Sequence, residues 1–291
     1  SVTGVQTCAL PIYYVYDEPS PAMYPNLARW AKAIHKASPS SGVYINMLPG
    51  WGPEYENDYL EPFINTVHSS YLSYDNYSLL DDGSAGQGFF MNLEAMRKMS
   101  LKHNIPFWNI ILANSHFRYA DVTQGGLNYQ VFSTLAYGGK GISYFTYFSP
   151  FIGNYRNAAV NQFLKKTPVW DMIQLVNLQI HQLGPTYLKL KSVNVFHTPD
   201  VPQYCSGKET SKHLSEISGG SFVVGEFVDP TGIPYIMIVN KDIHKSTGFQ
   251  IKFKEQGTVM MTNSYTGQTM PFGGENGWLG PGCGILLSLK K

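Results

Sequence analysis

Two adjacent carboxylates follow the first apolar run of this sequence. Asp17 and Glu18 come directly after Tyr13–Tyr16, and Pro19 follows them. Because successive residues of a strand point to opposite faces, one carboxyl group can face a scissile bond while the other contacts a neighbouring part of a substrate. Burial or a nearby like charge raises the pKa of a carboxyl group and allows it to donate a proton. The pair therefore predicts general acid chemistry.

The same residues have an alternative interpretation as a helix cap. An Asp or Ser that precedes a proline in the first helical turn is a common start signal. Ser20 followed by Pro21 meets that requirement without Asp17 or Glu18. A cap therefore does not require Asp17 and Glu18, which favours a functional role for the pair.

A third acidic residue, Asp75, follows the apolar run Tyr71–Tyr74. It is a candidate nucleophile, a candidate base that activates water, or a group that orients the substrate. Alternatively, its side chain caps the following loop as an Asx turn. The sequence leaves these roles open.

Further polar and aromatic residues are candidate binding groups. Aromatic rings pack against the apolar faces of a ligand, and polar tips hydrogen-bond its edges. The candidates are Asn46, Trp51, Tyr74, Tyr77, Trp108, Asn114, His116, Tyr144 and Tyr147. Trp108 lies within its predicted strand and suits a core position equally well, and a lone histidine such as His116 is often structural.

Short apolar runs rich in β-branched and aromatic residues predict five buried strands. They are Tyr13–Tyr16, Val43–Leu48, Tyr71–Tyr74, Pro106–Ala113 and Ile142–Tyr147. The segments between them have helical spacing. The apolar residues of the four predicted helices are Leu27, Trp30, Ala31 and Ile34 in the first, Tyr59, Phe63 and Val67 in the second, Leu93 and Met96 in the third, and Leu127, Val131 and Leu135 in the fourth. This alternation predicts a parallel α/β sheet, with the site at the carboxyl ends of its strands.

Two details of the helices are also predicted. Glu94 and Lys98 have the spacing of an exposed ion pair on one helix. A last helix over about Ala158–Leu183 is expected to stop at Gly184 and Pro185.

The pattern changes after about residue 189. Two stretches alternate with a period of two, at Phe249, Ile251 and Phe253 and at Ile285, Leu287 and Leu289. Ser221–Phe227 and Tyr235–Asn240 are further strand candidates. We predict an α/β domain over residues 13–188 and a small antiparallel β-sandwich over residues 189–291.

The strand that ends in Asp17-Glu18-Pro19 resembles the fourth barrel strand of clan A glycoside hydrolases, which carries their general acid/base. It is also similar to the adjacent Asp-Glu pair of family 123-type β-N-acetylgalactosaminidases. The first resemblance implies that Glu18 is the acid/base. The second implies that Glu18 protonates the leaving oxygen while Asp17 orients an acetamido group of the substrate. Leu135–Tyr147 resembles the last helix-to-strand passage of barrel hydrolases from carbohydrate-degrading gut bacteria.

These resemblances imply a (β/α)₈ barrel of which strands 4–8 are present. Clan A enzymes place a nucleophilic Glu at the end of the seventh strand, whereas here Pro106–Ala113 is followed by Asn114, Ser115 and His116. This departure leaves Asp75 as the remaining acidic candidate. It also leaves open a substrate-assisted cleavage of an N-acetylhexosaminide, which needs no protein nucleophile.

Val2–Ile12 resembles the translation of a sequencing adapter. Residues 1–12 are therefore left out of the fold prediction. On this interpretation Cys8 is not native, and about three βα units precede Tyr13 in the whole protein. The alternative is a short native strand or a signal remnant, although the segment has no basic start and its apolar run is too short for a signal peptide. The family resemblance also implies a periplasmic or cell-surface location.

Composition limits the partners. The net charge is +1 and 14% of residues are charged, which argues against a nucleic-acid partner. No apolar run approaches the roughly 20 residues that span a bilayer. His197, His213 and His244 lack zinc-ligand spacing, and the sequence has no glycine-rich phosphate-binding loop, so we expect neither a metal nor a cofactor. The resemblances above imply a glycoside hydrolase that cleaves O-glycosidic bonds of a poly- or oligosaccharide, or alternatively a sugar-binding barrel without catalysis.

Overall fold

The computed structural model describes residues 12–84, 86, 88–273 and 277–290. The adapter-like segment up to residue 11, with Cys8, lies outside the described residues, and Ile12 is the first residue of a strand. Five strands pair in chain order, and every pairing is parallel. They are β1 (Ile12–Asp17), β2 (Gly42–Met47), β3 (Leu72–Asp75), β4 (Phe107–Leu112) and β5 (Gly141–Phe145). They form a curled sheet like half a barrel, which confirms the predicted parallel α/β arrangement.

Helices connect these strands and cover one face of the sheet. They are α1 (Tyr24–Ala37), α2 (Gly52–Glu54) with a π-helical turn (Tyr55–Leu60), α3 (Glu61–Val67), α4 (Gly88–His103), α5 (Gln124–Ala136) and α6 (Pro168–Tyr187). The apolar positions predicted for the helices largely face this layer, and Leu27, Leu93 and Val131 are fully buried. Strands β2 and β3 are buried at most positions, as continuous apolar runs require, whereas β1 is largely exposed.

The predicted exposed pair of Glu94 with Lys98 is wrong. Glu94 is buried, and its carboxylate lies 3.6 Å from Arg97. Lys98 instead reaches Glu56, at 3.4 Å. Glu94 therefore lies on the buried side of the helix. The spacing of two charged residues does not show which side of a helix is buried, so the sequence could not predict this.

The predicted bounds of the last helix are also wrong. Helix α6 begins at Pro168, because the Thr167 side chain accepts a hydrogen bond from the backbone N–H of Val169 and caps the helix. It continues to Tyr187 and includes Pro185. Pro185 lies near the end of the helix, where the N–H of Leu188 still donates to the carbonyl of Gly184.

The rest of the chain forms antiparallel sheets, as predicted. The strands are β6 (Lys191–Thr198), β7 (Leu214–Ser218), β8 (Phe222–Val228), β9 (Pro234–Asn240), β10 (Thr247–Gly248), β11 (Gln250–Phe253), β12 (Thr258–Thr262), β13 (Thr269–Pro271), β14 (Trp278–Leu279) and β15 (Gly284–Lys290). Six of them form one sheet in the order β13-β12-β15-β9-β8-β6, and two further pairs are β11-β7 and β10-β14. The predicted alternating residues Phe253, Leu287 and Leu289 are buried together in one apolar cluster between these strands.

One apolar core joins the parallel sheet, its helices and the six-stranded sheet. It contains Ala136 of α5 together with Val223 of β8 and Met237 of β9. A second core, with Phe222 and Leu287, lies on the other side of the six-stranded sheet. None of the helices in the described part of the chain is both long and apolar enough to cross a membrane.

Candidate active site

The carboxyl ends of three neighbouring strands bring Asp17, Asn46 and Asp75 together. The Asn46 Nδ2 donates to Asp17 Oδ1 at 3.1 Å and to Asp75 Oδ1 at 2.5 Å. The Asn46 Oδ1 is 3.1 Å from the Ser73 hydroxyl, which lies 2.6 Å from the Tyr44 hydroxyl. The hydrogen bond from Ser73 therefore fixes the orientation of the Asn46 amide. In that orientation its one nitrogen donates to the carboxylates of both Asp17 and Asp75.

Glu18 follows Asp17 in a left-handed backbone conformation, with φ 47°. Its N–H donates to the carbonyl of Asn46 at 2.8 Å. A non-glycine residue in this region costs about 1–3 kcal/mol, and such strain is concentrated at functional sites. Glu18 is exposed, but local desolvation, followed by the charges of Asp75 and Asp17, raises the pKa of its carboxyl group. A carboxyl group with these neighbours is suited to hold a proton that it later donates.

Asp75 is the most enclosed of the three carboxylates. Burial raises its pKa, the hydrogen bond from Asn46 opposes this shift, and the charge of Asp17 adds to it. The Tyr77 side chain also lowers the pKa of Asp75. Like charges therefore oppose full ionisation of the cluster, while the donors favour the anion.

Tyr14 belongs to the same site and was missed by the sequence prediction. Burial, followed by Asp17, raises the pKa of Tyr14, and its ring stacks on Tyr44 with centroids 5.6 Å apart. Regular alternation would place residues 14 and 17 on opposite faces. A register shift between Tyr14 and Tyr16 brings both to one face. A bulge of this kind leaves no signal in the apolar pattern.

Aromatic side chains form a wall beside the carboxylates. Tyr77 stacks on Phe145 at 5.7 Å, and His116 stacks on Tyr155 at 4.8 Å. The His116 Nδ1 donates to the carbonyl of Asn114 at 2.8 Å, which leaves Nε2 as an acceptor. Burial lowers the pKa of His116, so the ring is held neutral.

Tyr119 is a second residue that sequence analysis missed. The charges of Asp75 and Glu18 contribute to its raised pKa, after burial. Its ring lies 5.5 Å from Tyr77. Because Tyr119 lies in a loop beyond a strand end, neither periodicity nor a motif marks it.

Several predicted binding residues lie away from this cluster. Tyr74 is fully buried and packs near Phe107. The Tyr144 hydroxyl donates to Asn177 of α6 at 2.7 Å. Trp108 stacks on Tyr71, with centroids 4.5 Å apart, near the start of β4.

The remaining candidates lie in the loops at the same end of the sheet. Trp51 packs over Gly88, where an added Cβ would lie 2.2 Å from the indole ring. Tyr147 is exposed and contacts the edge of Trp170. Asn114 is buried, and its Nδ2 donates to the Thr146 hydroxyl at 3.2 Å. Across the described ranges, no three His, Cys, Asp or Glu side chains are grouped in a way that could hold a metal ion.

Comparison with known proteins gives similarity in structure and none in sequence. No protein-family model and no curated protein matches the sequence. The fold is similar to a GH27 β-L-arabinopyranosidase from Geobacillus stearothermophilus, with TM-score 0.46, 12% identity, and 97% of this chain and 58% of that chain covered. It is also similar to a GH51 arabinofuranosidase from Xanthomonas axonopodis pv. citri, with TM-score 0.42, 11% identity, and coverage of 96% and 66%.

A third similar structure is a β-galactosidase from the psychrophilic Marinomonas ef1, with TM-score 0.45 and 10% identity. The match covers 59% of this chain and 29% of that chain. The chain thus spans less than two thirds of the length of each of these three structures. All three are glycosidases by name.

Proposed function

We propose that this chain carries the catalytic carboxylates of a glycoside hydrolase. The observation that carries the proposal is the Asn46 amide, which joins Asp17 and Asp75 beside Glu18 at one end of the parallel sheet. Hydrolysis of a glycosidic bond uses two carboxyl groups in different protonation states. A cluster in which like charges oppose full ionisation provides such a difference.

The roles follow from the surroundings of each group. Glu18 transfers its proton to the glycosidic oxygen as the bond from that oxygen to the anomeric carbon breaks. Asp75, which accepts a hydrogen bond from Asn46, supplies the anionic carboxylate that acts at the anomeric carbon, either directly or through a water molecule. Asp17, which accepts a hydrogen bond from Asn46, orients the substrate. The aromatic wall accommodates the apolar face of a sugar ring.

A second candidate is substrate-assisted cleavage of an N-acetylhexosaminide. It is favoured by the end of β4, where Asn114, Ser115 and His116 stand without a carboxylate. In this mechanism the acetamido oxygen attacks the anomeric carbon and Asp17 orients the acetamido group. Paired glycosides that differ only at C2 separate the two candidates, because substrate assistance requires the acetamido group and carboxylate nucleophilic catalysis does not.

The test of catalysis is Glu18→Gln, assayed for binding and for turnover on a panel of glycosides and their oligosaccharides. We expect affinity for the hydrolysed sugar to be retained and turnover to fall by about 10²–10⁴-fold, because the amide cannot donate the proton. Asp82→Asn, which changes an exposed turn carboxylate paired with Arg118, is the matched control.

Two outcomes would contradict the proposal. A chain that binds sugars but turns over none of them is a sugar-binding barrel. A chain whose turnover is unchanged by Glu18→Gln has its proton donor elsewhere.

A further inference from the structure

The loop between β5 and α6 presents a surface of four apolar side chains to solvent. Phe151, Ile152, Phe163 and Leu164 are between 71% and 81% exposed, more than any other large apolar side chain among the described residues. We call these four residues the loop-tip surface. Contiguous exposed apolar groups mark sites that contact a protein or a membrane.

Hydrogen bonds hold the two halves of this surface side by side. The Gln162 Nε2 donates to the carbonyls of Pro150 and Tyr155, at 3.3 and 2.8 Å, and so fastens one turn to the other. The Asn161 Oδ1 accepts from the backbone N–H groups of Phe163 and Lys165, each at 3.0 Å. The apolar side chains are therefore displayed by ordered turns.

The loop that carries the loop-tip surface is positively charged, which favours an anionic partner. Residues 146–167 contain Arg156, Lys165 and Lys166 and no acidic residue, although the whole chain is nearly balanced at +1. Arg156 is paired with Asp121 at 3.3 Å. Lys166 lies over the ring of Trp170, with its Nζ 3.9 Å from the ring centroid. Apolar tips with lysines and an aromatic ring behind them fit the interface of an anionic bilayer.

We propose that the loop-tip surface docks the protein on an anionic lipid surface. The apolar tips enter the boundary between headgroups and acyl chains, and Lys165 and Lys166 contact the headgroups. Because this loop follows the carboxyl end of β5, docking places the carboxylate end of the sheet toward the bilayer. The proposal does not depend on the reaction proposed for Glu18.

The test is cosedimentation with vesicles of phosphatidylcholine alone and of phosphatidylcholine mixed equally with phosphatidylglycerol. We expect binding to the anionic vesicles that weakens at high salt, since screening shortens the reach of the lysine charges. Phe163→Ser combined with Leu164→Ser should weaken binding by about tenfold or more, because the buried apolar area is lost. Lys165→Glu should weaken binding to the anionic vesicles.

The matched control is Tyr265→Ser, which removes a side chain of similar exposure in a β-turn elsewhere. It should bind vesicles as the unchanged protein does, and thermal unfolding should show that all variants remain folded. Equal binding to neutral and anionic vesicles, or binding unaffected by the double substitution, would overturn the proposal. Self-association abolished by the double substitution, without vesicle binding, would assign the surface to a second copy of the chain.

Discussion

At the scale of single residues, the protonation of Glu18 depends on its two acidic neighbours. After burial, the charge of Asp75 raises the pKa of Glu18 more than the charge of Asp17 does. We predict that Asp75→Asn lowers the Glu18 pKa toward its ordinary value and that Asp17→Asn lowers it less. NMR titration of the Glu18 carboxyl measures both shifts, with Asp82→Asn as the unaffected control. A Glu18 pKa that is unchanged in Asp75→Asn would contradict the arrangement.

Asp75 also links the site to stability. Its pKa is raised in the folded state, chiefly by burial, so ionisation of Asp75 destabilises the fold as the pH rises through that pKa. We predict that Asp75→Asn has a higher melting temperature than the unchanged protein at neutral pH. The difference should vanish at acid pH, where Asp75 is protonated in both folded and unfolded states. Thermal unfolding across pH checks this, and a lower melting temperature for the variant at neutral pH would count against it.

At the scale of elements, Glu226 of β8 fixes the segment before β7. The fully buried carboxylate accepts from Asn194 Nδ2, Ser211 Oγ and the backbone N–H groups of Lys212 and His213, at 2.7–2.8 Å. Burial alone would raise its pKa, but these donors hold the pKa of Glu226 below its ordinary value. Its contribution to stability is therefore present above the unfolded-state pKa and is lost as the pH falls.

We predict that Glu226→Gln lowers the free energy of unfolding by about 2–3 kcal/mol at neutral pH, because the amide N–H₂ faces donors. Glu216→Gln changes an exposed carboxylate 3.8 Å from Lys252 and should stay within about 0.5 kcal/mol. Urea unfolding measures both variants. Equal effects of the two substitutions would show that the buried network contributes no net stability.

The elements also show how far the sequence predicts the site. Continuous apolar runs predict the five strands, and β2 and β3 are buried at most positions, whereas the edge strand β1 is largely exposed. Their polar ends predict Asp17, Asn46 and Asp75, which the structure brings together. The position of Tyr14 depends on a bulge, and that of Tyr119 on a loop path. Both positions are set by tertiary packing, and no periodic pattern of residues in the sequence marks them.

At the scale of the whole molecule, helix α5 and the six-stranded sheet meet without space between them. A Cβ added to Gly225 of β8 would lie 2.0 Å from the carbonyl oxygen of Ala136, whereas one added to Gly184 of α6 would meet nothing within 4 Å. We predict that Gly225→Ala lowers the free energy of unfolding by about 1–3 kcal/mol through overpacking.

Gly184→Ala is the control and should change the free energy of unfolding by less than about 0.5 kcal/mol, because the gain in helix propensity is opposed by contact of the new Cβ with the ring of Pro185. Denaturant unfolding compares the two variants. Equal stability of the Gly225→Ala and Gly184→Ala variants would contradict this prediction. It would mean that the close contact of Gly225 with Ala136 does not help to hold helix α5 against the six-stranded sheet.

The most direct measurement of the central claim is the leaving-group dependence of hydrolysis by Glu18→Gln. Aryl glycosides with acidic phenols leave without protonation, whereas those with weakly acidic phenols need a proton from the protein. If Glu18 is the general acid, the rate on weakly acidic phenols falls by about 10²–10⁴-fold and the rate of bond cleavage on acidic phenols falls far less. An equal loss on both kinds of substrate would contradict proton donation by Glu18.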